Sequence, residues 1–170
     1  MKIATILIAL LINCAVFSQQ PISPTDSLIV TGKIKSPAVF RLADLDTFRT
    51  AAIKDLVIYN HKGEAKNTLT GIRGIPLKSL LASIEFIYEN PKKLNEFYFV
   101  FTASDGYKVV FSWNEIYNTE VGDNFFVVTE MGGKKLREME QRIIFISTAD
   151  LKTGRRYIKG LSKIEVKQIE

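Results

Sequence analysis

Two apolar, aromatic-rich runs, Phe97-Tyr98-Phe99-Val100-Phe101-Thr102 and Tyr107-Lys108-Val109-Val110-Phe111, flank Ser104-Asp105-Gly106. Asp-Gly readily takes the positive φ values of a tight turn, so this stretch predicts a β-hairpin. Residues 164–169 alternate apolar with charged side chains, as a half-exposed strand does. Further short strands are predicted at residues 28–30, 39–40, 53–59, 125–130 and 142–147, the fourth turning at Met131-Gly132-Gly133. Leu77, Leu80, Leu81 and Ile84 fall on one helical face, with Pro76 suited to the first turn and residues 71–76 leading into it. Residues 41–48 read as a short helix, residues 60–67 as a polar loop, and Ser112 as an N-cap with Glu115 three residues on. About eight strands and two or three helices make a β-rich α+β domain, with the helices as crossovers or lids.

Ahead of this pattern the chain has a different character. Lys2 gives a basic start, residues 3–17 are apolar apart from Thr5 and Asn13, and Val16-Phe17-Ser18 precedes Gln19. That order predicts a signal peptide over residues 1–18, cleaved after Ser18, and an exported protein, periplasmic or secreted. The apolar run falls short of the ~20 residues wanted for a stable membrane span. Leu11-Ile12-Asn13-Cys14 resembles a lipoprotein signal, with Asn13 where a small residue belongs, so lipidation at Cys14 is the alternative. Residues 19–27 form an extended lead-in with two prolines, and residues 28–170 one domain.

Removal of the signal changes the chemistry on offer. Cys14 is the single cysteine and His61 the single histidine, so the mature chain has no thiolate and no disulfide. A protein zinc site and a serine or cysteine hydrolase centre both lack parts, and no Gly-x-Ser-x-Gly is present. The net charge of +5 becomes +4 once Lys2 leaves. Export argues against nucleic acid as the acidic partner, which leaves a small anionic ligand, anionic lipid, or a solvated basic surface. Gly71-Ile72-Arg73-Gly74 matches the Gly-x-x-Gly of RNA-binding KH loops, but Pro76 interrupts the helix that should follow.

Candidate binding residues concentrate near the C-terminus. Arg155, Arg156, Lys159 and Lys163 lie close together, and Arg142 precedes them on a strand. Arginine forks grip phosphate through paired N–H donors, while lysine acts as a mobile point charge. The alternative is a solvated basic turn, just as His61 beside Lys62-Gly63 reads equally as a solvated loop residue. No catalytic and no metal-ligating residue stands out.

The order of motifs resembles the oxidoreductase molybdopterin-binding domain, the fold of sulfite oxidases and their bacterial periplasmic relatives. The similar segments are Val30-Thr31-Gly32-Lys33-Ile34 with Pro37, Leu42-Ala43-Asp44-Leu45, Gly74-Ile75-Pro76-Leu77-Lys78-Ser79-Leu80-Leu81, Thr102-Ala103-Ser104-Asp105-Gly106-Tyr107 and Gly132-Gly133-Lys134-Lys135-Leu136. Residues 155–166 are similar to the family's closing segment. The resemblance implies a mixed α+β domain. It also implies that Lys159 matches a phosphate-gripping lysine and that Arg142 sits where the family has an arginine. In that family a cysteine thiolate binds molybdenum after the strand preceding the Gly-x-Pro-Leu helix. Here that loop reads Tyr59-Asn60-His61-Lys62-Gly63, and none of these replaces a soft thiolate without changing the metal's electronics.

Three readings follow. The first is an exported, non-catalytic module for a small anionic ligand or a protein partner, with no cofactor. A molybdopterin-dependent oxidoreductase with an altered metal shell is the second, and an interaction subunit using its aromatic strands is the third. In the first two, the expected pocket is lined by the loop carrying His61, the Asp105 hairpin and the turn from Arg155 through Arg156 to Lys159.

Overall fold

Residues 21–169 are described by a computed structural model. The expected signal peptide, its cleavage point and Cys14 lie outside these residues. Strand β1 (Ser27–Gly32) buries Leu28 and Val30 on one face. It pairs antiparallel with β2 (Ala38–Arg41) and parallel with β12 (Leu161–Gln168). The predicted hairpin forms as β7 (Phe97–Ala103) and β8 (Lys108–Ser112), and the five strands make a mixed sheet in the order β2-β1-β12-β7-β8. Every second residue of β7 is buried, so Phe97, Phe99 and Phe101 face inward as period-2 geometry requires.

A second sheet packs against that aromatic face. Its strands are β3 (Ala51–Ile53), β6 (Ile72–Pro76), β9 (Phe125–Met131), β10 (Lys134–Lys135) and β11 (Ile144–Ser147). Strand β9 is central, with β6 on one side and β11 and β10 sharing the other. Gly132 and Gly133 take φ of 58° and 77°, and the resulting turn joins β9 to β10. Between the sheets, Phe111, Phe125 and Phe145 are fully buried, with ring centroids 5.0–5.7 Å apart. Phe101 completes the cluster, 4.7 Å from Phe111 and 5.0 Å from Phe145.

The outer face of the second sheet carries a smaller core. Ile72, Val128, Ile144 and Ile146 meet Ile58 and Leu69 there. The last two belong to a separate hairpin, β4 (Leu56–Tyr59) and β5 (Ala65–Leu69). Two sheets and a hairpin therefore form three layers of a β-rich α+β fold, as expected. Its helices are single turns: α1 (Leu42–Leu45), α2 (Leu77–Leu80) and α3 (Trp113–Tyr117). Leu77, Leu80, Leu81 and Ile84 are all buried, and Ser112 caps α3 by accepting from the Glu115 N–H at 3.0 Å. No helix among the described residues is long and apolar enough to cross a membrane.

Four expectations are corrected. Residues 53–59 are not one strand: the chain breaks at Lys54-Asp55, and its halves enter different sheets. Residues 65–67, expected at the end of a polar loop, belong to β5, because ladder bonds to β4 hold a strand whose side chains are mostly exposed. Residues 72–76, which lead into α2 as expected, do so as a strand, so Pro76 is the N-cap of α2 and not part of its first turn, and Gly71-Ile72-Arg73-Gly74 is not a loop. The helix at 41–48 shrinks to one turn.

Phe145 touches three rings of the cluster, so Phe145→Ala is expected to cost about 3–5 kcal/mol in denaturant unfolding. Val110→Ala, at a position 57% exposed, should stay within about 0.5 kcal/mol.

Burial pushes the Tyr117 phenol up to about 12. The unfolded chain ionises near pH 10 while the folded chain keeps this proton, so stability falls across that window by about 1.4 kcal/mol per pH unit. Unfolding measured between about pH 10 and about pH 12 should show this loss. Tyr117→Phe should make it shallower, leaving the shares of Tyr157, raised by burial, and of Lys35 and Lys93, raised by hydrogen bonds to Glu85 and Glu96, all of which act in the same direction.

Candidate functional site

Local hydrogen bonding builds the expected site from three segments. The turn Thr153–Arg156 is a 3-10 helix running antiparallel bonds back to β11 through Ile158 and Phe145. Thr153 is buried, and its hydroxyl donates to the Val57 carbonyl at 2.7 Å while accepting from the Tyr59 N–H at 2.9 Å. A Cβ on Gly154 would lie 2.6 Å from the Tyr59 carbonyl oxygen, so only glycine lets the turn approach β4 this closely. Lys152 Nζ donates to the His61 carbonyl at 2.7 Å. From the other side, the Tyr107 hydroxyl donates to the Arg155 carbonyl at 2.5 Å, and the Ser104 N–H donates to the Gly160 carbonyl at 2.8 Å.

The loop after β4, the Asp105 hairpin and the basic turn thus meet. They meet through hydrogen bonds of side chain to backbone and of backbone to backbone, and the contact is closed.

Arg156 lies at the centre of this closure. Its Nε donates to Asp150 Oδ2 at 2.6 Å, one terminal nitrogen donates to Asp150 Oδ1, and the other donates to Glu115 Oε1. The guanidinium also covers the Phe111 and Phe125 rings, 5.0 and 5.2 Å from their centroids. Hydrogen bonds that it donates to Asp150, and then to Glu115, raise its pKa further above the ordinary arginine range against the opposing effect of burial. Ser147 Oγ donates to Asp150 Oδ1 at 2.6 Å, which fixes the carboxylate that faces the arginine. Three of the five N–H donors of Arg156 are thus engaged by carboxylates of the fold.

The other expected residues divide. Arg142 is committed as well: Nε and Nη2 donate to Asp26 Oδ1 at 3.0 and 2.7 Å, and Nη1 reaches the Met139 carbonyl at 3.4 Å. Asp105 Oδ1 accepts from the Tyr107 N–H at 2.9 Å and so holds its own turn. His61 is exposed and contributes its carbonyl to the junction. Arg155 and Lys159 have no carboxylate partner among the described residues. Lys159 Nζ instead lies 5.0 Å from the Tyr157 ring centroid.

Asp150 and Thr153 escaped the sequence reading, because neither stands in a motif and their partners are distant in the chain. Glu115 was read only for its capping position.

Elsewhere, a cleft of about 350 Å³ lies between the end of α1 and the β9–β10 turn. Arg73, Lys135 and Arg137 line it with Asp46 and Glu130. Arg73 had been seen only as part of a Gly-x-x-Gly match, although Ile72-Arg73-Gly74-Ile75 has the period of a strand with an outward arginine. Among the described residues, no group of three or more His, Cys, Asp or Glu is placed to hold a metal ion.

No protein-family model matches the chain, and no curated protein matches it. Among solved structures, the crystal structure of the sulfane dehydrogenase SoxCD from Paracoccus pantotrophus superimposes with a TM-score of 0.61 at 17% identity. The two chains share a fold. The match covers 85% of this chain and 39% of the SoxCD chain, so this chain spans about two fifths of that one's length.

If Arg156 is the clasp of this region, Arg156→Ala leaves Asp150 and Glu115 unpaired and is expected to cost about 3–5 kcal/mol. Asp150→Asn gives a milder variant. In a double-mutant cycle on thermal or denaturant unfolding, the two changes should be strongly non-additive. Additive losses would show that the pair is not coupled.

Proposed function

We propose that this chain is an exported, non-catalytic binding module on a β-rich α+β fold, and that it holds a small anionic ligand. The observation that carries the reading is the closed junction of β4, the Asp105 hairpin and the basic turn. Molybdopterin is the cofactor implied by the sequence resemblance, and the residues present do not fit it. The loop from Tyr59 to Gly63 offers no thiolate, and thiolate softness is what a molybdenum ligand supplies there. Arg156 and Arg142, two of the cations expected to grip its phosphate, are held by carboxylates of the fold. Gly154 lies against the Tyr59 carbonyl, where a bound group would need room.

The anionic character of the ligand rests on the excess of basic residues and on cations left without carboxylate partners. Export rests on the pattern of residues 1–18.

A second reading, a molybdopterin-dependent oxidoreductase with an altered metal shell, draws on Arg155 and Lys159, which lack carboxylate partners, and on the fold shared with a sulfane dehydrogenase.

Elemental analysis and a pterin fluorescence assay on protein purified from its own host separate the two. The module reading expects molybdenum and pterin both far below stoichiometric. One molybdenum with one pterin per chain would overturn it in favour of the enzyme.

A further inference from the structure

The cleft at the end of α1 is built from four separate elements. Asp46 follows α1, Thr50 precedes β3, Arg73 lies on β6, and Thr129 and Glu130 lie on β9. Lys135 and Arg137 close it from the β10 side. Three cations face two carboxylates, and the pairing is uneven. Arg137 donates twice to Asp46 Oδ2, at 3.3 and 3.0 Å, and Lys135 pairs with Glu130 at 2.5 Å.

Arg73 has no carboxylate partner among the described residues. Its Nε and Nη2 meet only the Thr50 hydroxyl, at 3.3 and 3.1 Å, with the Thr50 carbonyl at 3.5 Å. A hydroxyl oxygen that accepts these bonds keeps its own hydrogen free to donate, so arginine and threonine together present donors and a net positive charge. Beneath the cleft, Leu45 and Leu136 are fully buried, so the surface that faces a ligand is set by the charged and hydroxyl side chains.

A planar guanidinium with spare donors is suited to carboxylate and phosphate, which it holds through paired bonds. The volume of about 350 Å³ is at the small end of ligand pockets.

We propose that this cleft is the binding site for a small oxyanion, whose carboxylate or phosphate group is taken by Arg73 and Thr50. This rests on the anion-binding reading above and gives that reading a location away from the basic turn. The site makes no use of Arg155, Arg156 or Lys159.

The test is isothermal titration of the mature chain at low salt with benzoate, phenyl phosphate and inorganic phosphate. Saturable binding of benzoate or phenyl phosphate is expected. It should weaken about 10-fold or more in Arg73→Ala and be unchanged in Arg155→Ala. Arg73 is exposed, so its variant should keep the wild-type unfolding midpoint, which is measured alongside.

No saturation by any probe up to about 10 mM would overturn the site, as would equal binding by Arg73→Ala. Loss in Arg155→Ala instead would move the ligand to the basic turn and also overturn it. Molybdenum content decides the non-catalytic reading separately, so an Arg73-dependent site can stand or fall on its own.

Discussion

The fold closes on one charged group set over an aromatic core. Arg156 arrives from the turn ahead of β12, Glu115 from α3 beyond the first sheet, and Asp150 from the loop after β11 in the second sheet. Below them lie Phe111 of the first sheet and Phe125 of the second, with the guanidinium over both rings. One side chain therefore ties together elements of both sheets and the helix between them. A buried ion pair is no better than well-packed apolar residues of the same volume, because desolvation offsets most of the attraction. Its strength lies in the asymmetry: with three charges and a serine hydroxyl mutually satisfied, removal of any one leaves another stranded. Such a cluster selects one arrangement of the elements that carry it.

The same commitment explains why the region does not resemble an open pocket. The turn that carries Arg156 is also stitched to β4 by Thr153 and pressed against Tyr59 at Gly154. Each contact satisfies a backbone group that would otherwise need water. A fold shared with a sulfane dehydrogenase over 85% of this chain is thus combined with a junction in which loops bind one another. A shared fold does not by itself fix what such a junction does, because function depends on the groups that the loops bring together.

Charge distribution shows the contrast most clearly. Arg156 and Arg73 are the same residue type, each beside a glycine in the chain or one residue from it. Arg156 is paired with two carboxylates on an aromatic floor, which engage three of its N–H donors. Arg73 lies on the outward side of β6 with a threonine for company, and its charge is turned to the cleft. Identity alone assigns neither fate. The neighbours brought in by the sheets do.

What could be read from the chain was local. The Asp105-Gly106 hairpin, the Ser112 cap, the buried face of Leu77, Leu80, Leu81 and Ile84, and the β-rich α+β class all follow from side-chain period and turn chemistry, which act over a few residues. The division of residues 53–59 between a sheet and a hairpin was not legible, because what decides it is which distant strand supplies the hydrogen bonds. Nor was the pairing of Arg156 with Glu115, 41 residues away, or the gathering of Arg73 and Arg137 around one cleft. By itself the sequence determined where strands and turns form and which faces are apolar, since those depend on backbone geometry and burial along one segment. Only the tertiary structure decided which cations are neutralised and which remain available. The free energy of a charge is set by the water removed and the partners brought close, and both come from other parts of the chain.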